Sequence, residues 1–259
     1  MNIPFDLTIF ELVFIASLLF IASSIQGLLG YGFAVISSPI LVQIDPVLVP
    51  ALLSLLAFPL TIKIFRRERS QVIWSPMKYL LIGRLVGGPL GLLCLIYLEQ
   101  RILSITVGAI VLFAGLASYF GWTLERNFRN SFNAGMFSGI FAMIAGVGGP
   151  PVAILYRDTK GKEFRPSLNA VFTFGILITL TLLLIDGRIY QDHLFLFLYM
   201  IIPTFLGISL SSKLFMKVSD KVISNGVIWF SIISGLVVIS VGYDTCRNAY
   251  GSGDTPCSW

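Results

Sequence analysis

Apolar runs long enough to cross a bilayer constrain this chain more than any other feature. They fall near residues 8–41, 47–65, 78–98, 102–122, 132–155, 166–185, 194–215 and 222–242, separated by short polar loops. About 20 apolar residues suffice for a helix to span the hydrocarbon core. No water reaches the backbone there, so every amide must be paired within its own segment, which predicts helices and excludes open strands. Charged residues make up 12% of the chain and hydrophobic residues 56%, whereas a soluble domain carries about 25% charged residues. Lipid is therefore the main solvent. The expected fold is an all-α polytopic membrane protein of eight hydrophobic segments, with no inserted soluble domain and a polar tail over 244–259.

Two of the segments are interrupted. The first carries Gly27, Gly30, Gly32 and Pro39; the fifth carries Gly146, Gly148, Gly149, Pro150 and Pro151. Proline removes an N–H and clashes with the preceding turn. Broken backbone survives in a membrane only inside protein or against a water-filled cavity. The two interrupted stretches also resemble each other. Gln26–Val42 aligns with Ser138–Ile154, matching Gly27 to Gly139 and Pro39 to Pro151; further on, Pro50 matches Pro166, Leu52 matches Leu168 and Phe58 matches Phe174. The chain thus divides into a first repeat over 1–126 and a second over 127–243.

Basic residues set the topology. If all eight segments cross, the two faces receive nine and eight Lys or Arg, and the positive-inside bias vanishes. If the first and fifth segments instead enter and leave on the same side, one face holds fourteen. These are Lys63, Arg66, Arg67, Arg69 and Lys78, then Arg126 and Arg129, then Arg157, Lys160, Lys162 and Arg165, then Lys213, Lys217 and Lys221. The other face holds three, Arg101, Arg188 and Arg247. Each half becomes a re-entrant hairpin plus three crossings, and the odd number of crossings inverts the second half relative to the first. Inverted repeats whose broken segments meet near the midplane are a recurrent transporter plan. This topology puts both termini on the outer face of a bacterial-type inner membrane, where a Cys246–Cys257 disulfide is compatible with the compartment. Cys94 reads as a small packing residue.

Catalytic constellations are sparse. The net charge of +5 is spread over loops, with no basic helix in a soluble segment, which argues against a nucleic-acid partner. His193 beside Asp192 is the only histidine and reads as interfacial; one His and three scattered Cys make no metal or haem site. No phosphate-cradling loop is present, and no cofactor is expected. Asp6, Asp45, Glu99, Asp186 and Asp192 sit at segment ends or in loops, so a buried carboxylate relay is not expected. Enzyme chemistry is not indicated.

What remains is broken backbone and a few polar side chains. Freed N–H groups at a half-helix N-terminus carry partial positive charge and favour an anion. The candidate substrate-binding residues are Gln26, Gly27, Tyr31, Gly32, Ser37, Ser38 and Pro39 in the first half, with Ser138, Gly146, Gly148, Gly149 and Pro150 in the second. The alternative is close helix packing by small residues. Arg84, within Gly83–Gly91, lies about 9 Å from Lys78 at 1.5 Å per residue; it either snorkels to the interface or attracts the anion. Asn169 and Thr173 lie one turn apart, suited to contacting substrate or to interhelical bonding, and Ser54 and Ala57 lie near them in the first half's register.

QGLLGYGFAVISSPIL (Gln26–Leu41) and AGMFSGIFAMIAGVGGPPVAILY (Ala134–Tyr156) resemble the TauE/SafE family of sulfite and organosulfur-anion exporters. The GVGGPP core in a fifth hydrophobic segment is the more specific part, and the duplicated pattern extends over residues 8–242. Phe33 and Ala34 follow Gly32 where the family commonly has more glycine. The resemblance implies a secondary transporter exporting a small sulfur-containing anion such as sulfite or a sulfonate. A passive anion channel is the nearest alternative and a membrane scaffold a more distant one. The expected partners are the anionic substrate and the bilayer; a coupling ion and a homo-oligomer are left open.

Overall fold

The computed structural model describes residues 4–159, 161–214 and 220–251. Among them the chain is helical throughout, without strands: α1 (Ile9–Leu29), α2 (Phe33–Ile44), α3 (Ala51–Glu68), α4 (Met77–Tyr97), α5 (Gln100–Tyr119), α6 (Phe128–Ala145), α7 (Gly149–Tyr156), α8 (Gly161–Ile185), α9 (Gln191–Leu214) and α10 (Asp220–Gly251). Seven described stretches are long and apolar enough to cross a membrane: Ile9–Leu29, Pro46–Gln71, Met77–Tyr97, Ile102–Tyr119, Lys162–Ile185, Gln191–Ser211 and Lys221–Tyr243. The expected fifth segment is not among them. It divides into α6 and α7, and Arg129, Asn130, Ser131 and Asn133 dilute the apolar character of α6. α10 continues past Asp244 to Gly251. The side chains of Cys246 and Cys257 lie outside the described residues.

Local chemistry sets the helix ends around the breaks. Thr8 caps α1, and Glu11 returns its carboxylate to the Thr8 backbone, a reciprocal capping box. α1 stops at Gly30 with φ 82°, and Gly32 at φ 120° opens α2. A side chain at either position would be strained. The second break repeats the device: Gly146 ends α6 at φ 68°, and Pro150 and Pro151 occupy the first turn of α7, where a missing N–H costs little.

Both ends of the first broken segment meet the start of α9. The N–H of Phe5 donates to Asp192 at 3.3 Å, the rings of Phe5 and His193 lie 4.8 Å apart, and His193 Nε2 donates to the Val47 carbonyl at 2.9 Å. His193 is therefore buried within the first turn of α9, next to exposed Asp192. Both ends of the second broken segment meet at the opposite end of the bundle. Arg157 donates to the Ser118 carbonyl at 3.0 Å, Arg126 pairs with Asp158 at 3.4 Å, and the Leu124 N–H reaches the Ile154 carbonyl at 3.4 Å. That end also carries the junction of α3 with α8, through Glu68 and Arg165.

Packing pairs helices from the two halves: α4 on α6, α1 on α9, α3 on α8, and α5 on α10. Glycine makes the first pair close. A Cβ on Gly83, Gly87 or Gly135 would stand 2.0–2.1 Å from a backbone oxygen of the opposing helix, so the α4 and α6 backbones touch directly. Gly207 serves α9 in the same way against Phe20 and Ser23 of α1. Trp229 of α10 is 54% exposed, and its ring meets Tyr119 of α5 in an edge-type contact with centroids 5.8 Å apart.

Candidate functional site

The first break is held by a chain of side chains from α8 and α3. Gln26 accepts the first N–H of α2, from Phe33, at 3.2 Å, and its Nε2 donates to Asn169 Oδ1 at 3.2 Å. Asn169 Nδ2 donates to the Gly30 carbonyl at 2.9 Å and to the Arg165 carbonyl at 2.8 Å, and Thr173 Oγ1 donates to the Asn169 carbonyl at 2.7 Å. Arg165 reaches the Gly27 carbonyl at 2.9 Å and pairs with Glu68 through both Nε and Nη2. The helix carbonyls released at Gly27 and Gly30 are thereby satisfied. Among the described residues the next N–H groups of α2, on Ala34 and Val35, have no such partner.

The second break is held from within. Ser138 donates to the Gly148 carbonyl at 2.5 Å, and Ser38 of the first hairpin donates to the Ala145 carbonyl at 2.6 Å. α7 begins Gly149–Pro150–Pro151, so two of its first three positions offer no N–H. Positive charge on this side comes instead from α4. Arg84 is only 2% exposed and does not snorkel. Its Nη1 has no hydrogen-bond partner, and no carboxylate pairs with it among the described residues. The guanidinium lies beside Gly148 and against Gly175 of α8, where a Cβ would come within 3.1 Å and 2.3 Å of it. Absent side chains at both positions make its berth.

A cavity of about 60 Å³ joins these parts. A single water needs roughly 10–15 Å³ by this measure, so the space suits a few waters or one small oxyanion. Of the candidates read from the sequence, Gln26, Tyr31, Gly32, Arg84, Gly146, Gly148 and Gly149 line it. Gly27, Ser37, Ser38, Pro39, Ser138, Pro150, Asn169 and Thr173 do not. Gly27 packs on Ser211, Pro39 faces a separate groove with Phe14 and Phe230, and Ser138, Asn169 and Thr173 brace the breaks from behind. Pro150 lies in the wall of a neighbouring vestibule. Ser37 is buried with its hydroxyl unpartnered.

Several lining residues escaped the sequence reading. Thr61 completes a small and polar stripe with Ser54 and Ala57 on α3, spaced i, i+3, i+7; Phe172, Ile176 and Thr179 make the corresponding stripe on α8. Ser54 and Ala57 hinted at the first stripe. Gly175 carried no signal of its own, since its role depends on Arg84 arriving from another helix.

The cavity is walled unequally. Toward the end of the bundle carrying Glu68 and Arg157, Tyr31 belongs both to the cavity and to a vestibule of about 800 Å³. Arg157, Lys162, Arg165 and Lys221 line that vestibule, with Glu68 as its carboxylate. Toward the other end lies a pocket of about 570 Å³ walled by Ala51, Leu95, Leu103 and Leu183. Those four residues pack in one apolar cluster with Val35 and Val147 of the cavity lining. That cluster forms an apolar wall of the cavity on this side.

Among the described residues no three His, Cys, Asp or Glu side chains come together as a metal site. No curated protein and no solved structure matches the chain. The family model described as sulfite exporter TauE/SafE matches residues 15–238, a stretch that contains both breaks, Arg84 and every residue lining the cavity. The chain belongs to the TauE/SafE sulfite exporter family, whose members are membrane transporters and not enzymes.

Proposed function

We propose that this protein is a secondary transporter that exports a small sulfur-containing anion, sulfite or an organosulfonate, across an inner membrane by alternating access. One observation carries the reading: a buried, unpaired guanidinium, Arg84, lines a small cavity formed where both broken helices meet. Burying an unpaired cation is costly, and an anion in the cavity offsets that cost. The Ala34 and Val35 amides at the start of α2 add donors aligned with a helix N-terminus. Backbone thus contributes chiefly from the first break, and side-chain charge supports the second.

Two inverted halves fit the meeting of the first hairpin's ends at one end of the bundle and of the second hairpin's ends at the other. The basic vestibule fits the cytoplasmic face under the positive-inside rule and would gather anions from that side. A channel needs a continuous path, and the apolar cluster around Val35, Val147 and Leu95 argues against one. Gradients of ions or substrate supply the energy.

The test is counterflow of labelled sulfite in vesicles reconstituted with the purified protein. Saturable exchange that is lost in Arg84→Gln is the expected result. Conductance without counterflow would favour a channel, and full exchange in a folded Arg84→Gln protein would overturn the role of the guanidinium.

A further inference from the structure

We infer that the cavity selects its substrate by charge: it accepts monoanions, so that sulfite enters as hydrogensulfite and dianions such as sulfate are rejected. The inference rests on the anion-site reading above and concerns which protonation state that site accepts.

The argument is one of charge balance in a low-dielectric space. Arg84 is the only Lys, Arg, His, Asp or Glu among the residues lining the cavity. Tyr31 is the only other titratable lining group. The remaining polar groups there, Gln26, Ser54, Thr61 and Thr179, are uncharged. Among the described residues no second cation of the surrounding helices lines the cavity. On α3, Lys63 donates to Ser209 at 2.6 Å and Glu68 pairs with Arg165 of α8. Arg129 of α6 is exposed, and on α4 Lys78 lies over the Tyr79 ring. α7 contributes Tyr156, whose hydroxyl donates to the Ile73 carbonyl at 3.2 Å. One fixed positive charge neutralises one negative charge. A second negative charge would find only the neutral Ala34 and Val35 amides and uncharged side chains, with Phe33, Phe172 and Ile176 around it, and a buried charge without a counter-charge is strongly unfavourable.

Size does not separate these ions well, since sulfite, hydrogensulfite, sulfate and methanesulfonate all have compact heads around one sulfur. Charge does. Sulfate is a dianion and methanesulfonate a monoanion throughout the neutral range, whereas sulfite and hydrogensulfite interconvert within it. A proton carried in on the substrate also removes any need for a buried carboxylate in the cavity, and the lining has none.

The experiment measures binding to the wild-type protein, in detergent or nanodiscs, by competition against labelled methanesulfonate between mildly acidic and mildly alkaline pH. Methanesulfonate affinity should stay flat. The apparent affinity of sulfite should fall by about tenfold for each pH unit above the point where hydrogensulfite loses its proton, because only the competent fraction binds. Sulfate should compete about a hundredfold more weakly, or not at all. Arg84→Lys, which keeps the charge, should retain this order of preference. Sulfite affinity independent of pH, or sulfate competing within about tenfold of methanesulfonate, would overturn the inference while leaving the anion site standing. Failure of all three anions to bind would overturn the anion site itself, and the inference with it.

Discussion

Gly175→Ala isolates the position of Arg84 from its charge. A Cβ at residue 175 would stand 2.3 Å from Arg84 Cζ and Nη1 and 2.4 Å from Nε. Carbon contacts settle near 3.5 Å, so the guanidinium must retreat by about 1.2 Å. The clash is with the free end of a long side chain, not with backbone, so the fold can yield there. An off-rotamer adjustment costs about 0.5–1.5 kcal/mol, and replacing a mid-helix glycine by alanine returns about 0.5–1 kcal/mol. Net stability should therefore change by less than about 1 kcal/mol. Binding should not be spared. A charge-assisted hydrogen bond near 2.8 Å would stretch to about 4 Å, beyond useful geometry. Losing such a bond costs about 1.5–3 kcal/mol, or roughly 10- to 150-fold in affinity. Thermal melting of the purified protein and concentration dependence of sulfite counterflow read the two effects separately. A folded Gly175→Ala protein with wild-type affinity would refute the argument, because the guanidinium could then not be acting from its berth beside α8.

Gly87→Ala should behave in the opposite way: its Cβ would stand 2.0 Å from the Met136 carbonyl oxygen, and separating two backbones should cost about 3 kcal/mol, seen as a lower melting temperature. Gly226→Ala, with nothing within 4 Å, is the matched control and should melt at or slightly above wild type. Arg165→Ala frees the Gly27 carbonyl and leaves Glu68 with Arg67 alone; it should loosen the first hairpin and speed maleimide labelling of Tyr31→Cys measured in the same background. With a membrane-impermeant maleimide, Ser70→Cys and Asp158→Cys should label from one side of oriented vesicles and Tyr97→Cys from the other; labelling of Ser70→Cys and Asp158→Cys from opposite sides would contradict the re-entrant arrangement.

The breaks were legible because their chemistry is local. Gly30 and Gly146 end helices in the left-handed region, and Gly32 and the Gly148–Pro151 stretch restart them; each step depends on residues adjacent in the chain. The expectation that each hairpin closes on one side of the membrane rests on charge, a property of whole loops. The lining of the cavity was harder, because it depends on helix rotation. Ser37 and Ser38 precede Pro39 in sequence, yet α2 turns Ser38 toward Ala145 while Phe33, Ala34 and Val35 line the cavity. Arg84 left two readings open at the sequence level, because its depth alone permits either snorkelling or burial. Burial is decided by two glycines, Gly148 and Gly175, that lie far from it in the chain. No periodicity within α4 encodes that.

The two breaks look alike in sequence but differ in what restrains them, and the difference bears on how access could alternate. Gly148 sits beside Arg84, and Arg84 rides on α4, whose backbone touches α6 directly at Gly83, Gly87 and Gly135. The second break and the cation therefore form one stiff body that should move together. The first break is joined to α9 through the Gly27–Ser211 and Gly207–Ser23 contacts, but its tip is fastened to α8 and α3 by the polar groups of Arg165, Asn169 and Glu68. Polar fastenings at a vestibule can exchange protein partners for water at modest net cost, whereas backbone-to-backbone packing has no such substitute. Closing the basic vestibule and opening the opposite pocket would then require the first tip to shift against α8 while the Arg84 berth stays intact. On this argument the anion remains paired with the same guanidinium on both sides of the cycle, and Tyr31, shared by cavity and vestibule, is the side chain whose surroundings change most.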